Sequence, residues 1–397
     1  MKRRDFLAGG PLGLAASAAL HRPLFAAQTA PREPGLKITA VEPWILKTGT
    51  LLVLLRTSEG LTGIGECSPM NIRVIAAMIE QALAPKILGR NPLDINLLWE
   101  AMFYSTYKLG VMGIQPEAIA GIDIALWDLF GKVTRQPLHR LLGGRRRERV
   151  RMYASIGGGA STSIEDMARR ASEAVSRGFT AIKIRMDWGN QRTDVRPEQD
   201  WQLISTVRRV VGSKIDLGFD PNNGYSVSTA IRMGRRLQDQ LGIVHYEEPV
   251  PQHDYRGLAQ VAAALDMPVA AGEQEYTLWQ FRDLIEVAQV DIVQPDLVKC
   301  AGITEAVRIA ALAAAHDRIL VPHQTQPSVG NTANLHFTAA FSRTENPQEF
   351  NYDMEKAEAL RKVFPNMPVL EKGHMTVPDG PGLGLTLDEA ELARLRA

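Results

Sequence analysis

The stretch that decides the fold is IDLGFDPNNGY, residues 215–225, an apolar run that ends on Asp220. The same pattern returns along the chain, after 27, 26, 23 and 27 residues, in runs that end on Glu247, Glu273, Asp296 and His323. A buried strand with a polar residue at its carboxyl end, followed by a helix and repeated about every 25–30 residues, is typical of a (β/α) barrel. We therefore expect these five side chains to converge on one pocket.

Three of the five, Asp220, Glu247 and Glu273, are carboxylates, which repel one another unless a cation lies between them. Anionic oxygen donors without His or Cys among them suit a hard cation that completes an octahedron with water and substrate oxygens. The alternative is that each carboxylate caps the helix that follows its strand. The common register of the three favours the cation.

Length and composition agree with a barrel enzyme. The chain has 397 residues, enough for a barrel of about 250 residues and a second domain. A net charge of +1 gives no reason to expect nucleic acid or an anionic membrane as partner, and the basic run at 145–147 reads as a solvated face. Two cysteines, Cys67 and Cys300, exclude a disulfide framework and a cysteine-rich zinc site.

Residues 1–30 are predicted to be an export signal rather than part of the fold. MKRRDFL places a twin arginine before an Ala/Gly/Leu-rich stretch, in the manner of a twin-arginine signal, with no clear cleavage site. We therefore expect a periplasmic protein, not held in the membrane after export. An unprocessed basic terminus of a cytoplasmic protein is the alternative.

The chain between the signal and the barrel has a different order of predicted elements. Strands are predicted at 38–42, 51–56 and 60–66, and helices at 74–88, 93–102 and 117–132. Strands followed by helices indicate an α+β domain, which we place at 36–145, with the barrel at 148–355. The segment 365–397 does not continue the strand–helix repeat and is expected to return to the first domain. The predicted fold class is thus α/β: a modified TIM (β/α) barrel with an N-terminal α+β capping domain.

Several short motifs, in this order and at this spacing, make the chain resemble the enolase superfamily and, within it, the mandelate racemase-like subgroup. They are GIDIALWD at 121–128, Lys183-Ile184-Arg185, Asp220-Pro221-Asn222, EEPV at 247–250, Gly272-Glu273, Gln294-Pro295-Asp296 and Pro322-His323. The resemblance implies a capping domain over the barrel. It also implies one divalent cation per subunit, Mg²⁺ with Mn²⁺ as a possible substitute, and removal of the proton α to a substrate carboxylate.

The resemblance also assigns roles to residues. Asp220, Glu247 and Glu273 would bind the metal, with Asn222 beside them. His323 and Asp296 would form a dyad, in which the Asp fixes the tautomer of the imidazole and raises its basicity. Glu349 would hydrogen-bond the developing enediolate, although Asp353 and Glu355 are close competitors. Lys183 would bind the substrate carboxylate, or form a structural salt bridge instead.

Arg185 departs from the Lys-x-Lys pattern of relatives that use two bases. Arg is a poor proton acceptor, because its pKa lies roughly 3 units above that of Lys. Racemisation needs a base on each face, whereas dehydration needs only His323. The sequence therefore predicts a lyase that dehydrates an acid sugar to a 2-keto-3-deoxy acid. A racemase, epimerase or cycloisomerase is the alternative, and a binding protein without chemistry is a third possibility.

Specificity is expected to come from capping-domain loops at 47–51, 67–72 and 104–113. Tyr107 and Lys108 in the last loop suit hydroxyls and a distal anion, although all three loops could be surface turns. Four histidines have no Asp one strand–helix unit earlier, as His323 has in Asp296, and are predicted to be structural: His245, His253, His316 and His336. A small hydroxy acid is the expected substrate, and a homo-oligomer is implied by the resemblance.

Overall fold

The computed structural model describes residues 35–158, 162–189, 193–342, 346–352 and 354–397, without the side chains of 354–357. The predicted export signal at 1–30 lies outside these ranges, as do Asp353 and the side chain of Glu355, the two competitors of Glu349.

The N-terminal part is an antiparallel sheet covered by helices. The strands run in the order β1-β2-β3, with bounds Ile38–Ile45, Leu51–Thr57 and Thr62–Glu66. The helices are α1 (Ile72–Met78), α2 (Ala84–Ile87), α3 (Ile95–Thr106), α4 (Ile114–Thr134) and α5 (Leu138–Leu141), with a π turn at Ile79–Leu83 and a 3₁₀ turn at Tyr107–Leu109. Three glycines let α4 approach the sheet closely: a Cβ on Gly63 or Gly65 would lie 2.3 or 1.8 Å from a backbone oxygen of α4, and one on Gly121 2.3 Å from Cys67 Sγ.

Eight parallel strands form the barrel. In chain order they are β4 (Arg149–Gly157), β5 (Ala181–Arg185), β6 (Asp216–Asp220), β7 (Tyr246–Glu247), β8 (Val269–Ala271), β9 (Ile292–Val293), β10 (Ile319–Leu320) and β11 (Gln348–Asn351). Each of the first six pairs with the next, and β11 pairs with β4, which brings the chain back to the first strand.

A helix follows each of the first seven barrel strands and another follows β11. They are α6 (Ile164–Ser176), α7 (Pro197–Val211), α8 (Val227–Arg236, continued by a π turn at Leu237–Leu241), α9 (Tyr255–Ala263), α10 (Leu278–Glu286), α11 (Ile303–Ala315), α12 (Val329–Phe341) and α13 (Met354–Val363). Within the parts of the chain that the structure covers, no helix is both long and apolar enough to span a bilayer.

The last segment packs on the N-terminal part. A hairpin of β12 (Leu370–Glu371) and β13 (His374–Thr376) joins the edge of β4, and α14 (Glu389–Leu395) ends the chain. The Leu383 amide then donates to Asp128 of α4 at 2.9 Å, and the Ala397 amide donates to the Ile45 carbonyl of β1 at 2.9 Å.

Buried polar contacts connect α4 and β3 to the barrel helices. The Asp123 carboxylate of α4 accepts hydrogen bonds from the amide and the hydroxyl of Thr304, at 2.9 and 2.6 Å. Glu66 at the end of β3 accepts from Ser328 Oγ and the Gly330 amide at the start of α12, at 2.9 and 2.7 Å. Both carboxylates are buried, so these contacts fix the N-terminal part over the carboxyl ends of the barrel strands.

Candidate active site

A cavity of about 850 Å³ opens at the carboxyl ends of the barrel strands. Barrel residues form most of its wall, and the loop between β3 and α1 contributes Pro69 and Met70. Of the predicted site residues, it is lined by Arg185, Asn222, Glu273 and His323. Asp220, Glu247, Lys183 and Glu349 lie beneath these, each at most 1% exposed.

His323 and Asp296 form the predicted dyad. His323 Nδ1 lies 2.7 Å from Asp296 Oδ2, while Asp296 Oδ1 accepts the Val298 amide at 2.9 Å and is thereby held in place. Burial by itself favours a neutral imidazole, but the carboxylates of Glu273, Glu349 and Asp296 outweigh it and raise the pKa of His323 well above its ordinary value. The dyad leaves Nε2 as the ring nitrogen that faces the cavity side.

Lys183 is the centre of a buried cluster of opposite charges. Its Nζ contacts Glu247 Oε1 directly and lies 3.0 Å from Glu349 Oε1 and 3.7 Å from Asp220 Oδ2. Burial lowers the pKa of Lys183, yet these carboxylates raise it well above its usual range, so the side chain stays an ammonium. The same charge, with that of His323, overcomes burial at Glu349 and lowers its pKa to about 2.

Glu273 is held by three donors. Its Oε1 accepts from Gln274 Nε2 at 2.7 Å and lies 3.6 Å from Lys299 Nζ, while its Oε2 lies 2.8 Å from His323 Nε2. Burial opposes ionisation, but His323 and Lys299 hold the pKa of Glu273 well below its usual range.

The three predicted metal ligands are therefore each engaged by cations of the chain itself. Across the residues that the structure describes, no three His, Cys, Asp or Glu side chains are placed close enough together to hold an ion as they stand. The reason is that Lys183 contacts Asp220 and Glu247, and Glu273 faces His323 instead.

The residues nevertheless fit a hard cation. Asp220 Oδ2 is buried without a hydrogen-bond partner among the described residues, which is costly for a carboxylate oxygen, and the Lys183 ammonium lies 3.7 Å from it, beyond hydrogen-bond distance. Burial, reinforced by Glu247, raises the pKa of Asp220 well above its ordinary value, which is the effect that a bound cation would reverse. Asp220, Glu247 and Glu273 supply oxygen donors only, as Mg²⁺ prefers.

Arg185 stands on the cavity wall with an available guanidinium. The guanidinium makes no ion pair or hydrogen bond with any residue that the structure describes, although its charge acts on the nearby Asp220. The neighbouring Gly157 makes room for it, since a Cβ there would lie 2.7 Å from Arg185 Nη2. Arg185 is thus placed to bind an anionic or hydroxyl group in the cavity.

The other predicted residues divide into two groups. Asn222 lines the cavity in a left-handed conformation (φ 50°), and its amide donates to Asp220 Oδ1 at 2.7 Å, which fixes that carboxylate. Tyr107 and Lys108 do not line the cavity, because α3 continues to Thr106 and the following 3₁₀ turn carries both to the surface. Of the three loops predicted to govern specificity, only 67–72 contributes to the cavity wall described here.

The sequence analysis missed several cavity residues, among them His253 and Lys299. His253 was predicted to be structural, but it follows β7 and lines the cavity. Lys299 also lines the cavity, one turn past Asp296, and is only 4% exposed. The available signal was a single lysine in the apolar run LVKCA at 297–301, because a buried lysine requires anionic partners.

Two family profiles together span this architecture. The profile described as "Mandelate racemase / muconate lactonizing enzyme, N-terminal domain" matches residues 39–143. The profile described as "Enolase C-terminal domain-like" matches residues 166–391.

Characterised relatives cover nearly the whole chain. The chain is 35% identical to an arabinonate dehydratase from Saccharolobus solfataricus over 84% of this chain and 87% of the relative. It is 34% identical to a D-galactarolactone cycloisomerase from Agrobacterium fabrum, over 87% and 91%. A crystal structure of a mandelate racemase/muconate lactonizing protein from Paracoccus denitrificans complexed with magnesium superposes with a TM-score of 0.87 at 40% identity, covering 91% of this chain and 99% of that one. The chain therefore belongs to the enolase superfamily, in its mandelate racemase/muconate lactonizing branch.

Proposed function

We propose that this protein is a Mg²⁺-dependent dehydratase that converts an acid sugar to a 2-keto-3-deoxy acid. The observation that carries the proposal is a single oriented base, His323 with Asp296, beside three carboxylates, with an arginine where a second base would stand. Named relatives support the class: an arabinonate dehydratase and, at 31% identity, an L-talarate/galactarate dehydratase from Salmonella typhimurium.

Asp220, Glu247 and Glu273 would hold the metal. When bound, Mg²⁺ would supply electrostatic stabilisation of the negative charge that develops on the substrate carboxylate as the α proton leaves. The magnesium complex of the Paracoccus denitrificans relative supports this choice of ion.

His323 Nε2 removes the proton from C2 of the substrate. Asp296 accepts the hydrogen bond from Nδ1, which keeps Nε2 free to receive the proton and stabilises the imidazolium that forms. Lys183 lies beneath the cavity floor, where its ammonium would stabilise the carboxylate end of the enediolate, and Glu349, 3.0 Å away, holds that ammonium in place.

The second step expels the 3-hydroxyl. The electron pair of the enediolate forms the C2–C3 double bond as the C3–O bond breaks, and the leaving oxygen takes the proton that His323 had accepted. Water departs, and the resulting enol tautomerises to the 2-keto-3-deoxy acid. Arg185 would bind the substrate through charge and hydrogen bonds.

A cycloisomerase is the second candidate, since the Agrobacterium fabrum relative carries that name. Such a reaction uses the same α-proton removal but expels an internal oxygen, so no water is lost. The mass of the product separates the two reactions.

The test is to incubate the Mg²⁺-loaded protein with individual acid sugars and to look for a product lighter by one water that reacts as a 2-keto acid. His323→Asn should abolish turnover and leave Mg²⁺ binding intact, whereas the exposed His316→Asn should retain full activity. Retained turnover in His323→Asn would refute the assignment of the base. A product of unchanged mass would favour the cycloisomerase.

A further inference from the structure

Lys299 is a buried cation for which the proposed reaction has no role. It lies in the turn after β9, which Asp296 holds through its hydrogen bond to the Val298 amide. The Lys299 side chain is 4% exposed and lines the cavity together with Glu273 and His323. A cation so deeply buried needs anionic neighbours, and Lys299 has them on both sides of the domain boundary.

On the barrel side the neighbour in contact is Glu273, 3.6 Å away. On the capping side, Glu117 of α4 is buried and feels the charge of Lys299. Ser68 also acts on the Glu117 carboxyl, and Ser68 precedes the cavity residues Pro69 and Met70. These contacts fix the ammonium where it stands, between the capping helix and the third metal ligand.

The two oxygens of Glu273 therefore have different environments. Oε1 faces two donors that have no part in the proposed reaction, the side-chain amide of Gln274 at 2.7 Å and the Lys299 ammonium at 3.6 Å. Oε2 faces only His323 Nε2, at 2.8 Å, among the contacts of the described residues. His323 is the group that must release this oxygen in order to act as a base.

We propose that Lys299 is a positioning residue that restricts Glu273 to one-oxygen binding of the metal through Oε2, and that it thereby selects Mg²⁺ over Ca²⁺. The inference rests on the proposed metal site of the dehydratase.

Coordination chemistry gives the reason for the selectivity. Mg²⁺ demands a near-ideal octahedron and takes carboxylates through one oxygen, whereas Ca²⁺ accepts six to eight ligands and readily takes both oxygens of a carboxylate. The Lys299 ammonium, held against Oε1, opposes a second bond from this carboxylate to the metal. The loss of that bond lowers the affinity for Ca²⁺ more than the affinity for Mg²⁺. Residues that orient a metal ligand typically change metal affinity by about 10- to 100-fold when they are replaced.

The test is calorimetric titration of the full-length protein with Mg²⁺ and, separately, Ca²⁺, without substrate. Lys299→Met keeps the length of the side chain and removes its charge, Lys299→Arg keeps the charge, and Lys214→Met removes an exposed lysine as a matched control. Thermal unfolding establishes that each variant is folded. We expect the ratio of Mg²⁺ to Ca²⁺ affinity to fall at least about tenfold in Lys299→Met and to stay near the wild-type value in Lys299→Arg and Lys214→Met.

An unchanged ratio in folded Lys299→Met would overturn the inference. If Lys299→Met does not fold, Lys299→Arg decides. A ratio of Mg²⁺ to Ca²⁺ affinity near the wild-type value in Lys299→Arg supports the role of the charge, and a ratio that falls about tenfold or more contradicts it. Because no substrate is present, the result is independent of whether the reaction is a dehydration. A wild-type protein that binds neither ion would refute both this inference and the metal site of the proposed function.

Discussion

At the scale of single residues, the site is a set of carboxylates neutralised by the chain's own cations. Lys183 contacts Asp220, Glu247 and Glu349, and Glu273 faces His323. In the proposed metal site, a metal at Glu273 would compete with the imidazole of His323 for the same oxygen, Oε2. Metal binding would therefore also free the base, which couples the loading of the site to its reactivity.

A second kind of buried carboxylate holds a proton rather than a cation. Burial raises the pKa of Glu66 to about 7, although the hydrogen bonds from the Gly330 amide and Ser328 oppose this shift. The native protein therefore keeps this proton above the ordinary value of 4.5, where the unfolded chain has lost it. Glu66 thus contributes stability that is fully present below pH 4.5 and is lost as the pH rises through 7.

We predict that the free energy of unfolding of the wild type falls relative to that of Glu66→Gln between pH 5 and 7, by at most about 1.4 kcal/mol per pH unit. The amide does not titrate, so the variant lacks this proton uptake. Denaturant unfolding at a series of pH values measures the difference, with the exposed Glu100→Gln as the control expected to follow the wild type. Parallel curves for wild type and Glu66→Gln would show that Glu66 is ionised in the native state.

At the scale of elements, the close packing of α4 on β3 supports the position of the capping domain. Asp123 and Glu66 reach the barrel from these two elements, and both depend on the small separation that the glycines allow. Gly65 is the tightest position, because its missing Cβ would lie 1.8 Å from the Gly121 carbonyl oxygen.

We predict that Gly65→Ala lowers the free energy of unfolding by at least about 2 kcal/mol, since backbone atoms must move to admit the methyl group. Gly60→Ala is the comparison: it has open space but a φ of 76°, so it should cost only about 1 kcal/mol through backbone strain. Chemical denaturation of the two variants measures both effects. Equal and small losses would mean that the helix can retreat from the sheet without penalty.

The elements also set the limit of prediction from the sequence. The pattern located the five barrel strands that precede Asp220, Glu247, Glu273, Asp296 and His323, but it made several of them too long. The run at 243–246 was predicted to be a strand, yet β7 begins only at Tyr246, because the Ile243 amide still donates to Leu237 at the end of the preceding helix. β9 and β10 end before Pro295 and Pro322, which have no amide hydrogen to donate to a neighbouring strand.

At the scale of the whole molecule, the spacing of polar residues predicted which side chains would meet, because parallel strands open on one face. It could not predict Lys299 or His253, which lie beyond the strand ends in turns whose course depends on tertiary contacts. The structure places Tyr107 and Lys108 on the surface, since the end of α3 decides which way that loop faces. The position of a residue in a strand can be predicted from the repeat in the sequence, whereas the direction of a loop cannot.

We predict that Mg²⁺ stabilises the whole molecule, because it binds the native arrangement of three distant carboxylates. At 100 times the dissociation constant, the gain in unfolding free energy should be about 2.7 kcal/mol. Thermal unfolding with and without Mg²⁺ measures it, and the gain should vanish in Asp220→Asn but persist in Asp239→Asn, an exposed control. A full gain in Asp220→Asn would place the ion elsewhere.

The central claim is that one base, on one face of the substrate, drives loss of water. Proton NMR of the Mg²⁺-loaded protein in D₂O with acid sugars and simple α-hydroxy acids tests it most directly. We expect the C2 proton signal to disappear while new signals of a 3-deoxy position appear. Exchange of the C2 proton with all hydroxyls retained would contradict it, since the enzyme would then be an epimerase or racemase and Arg185 would have been misread.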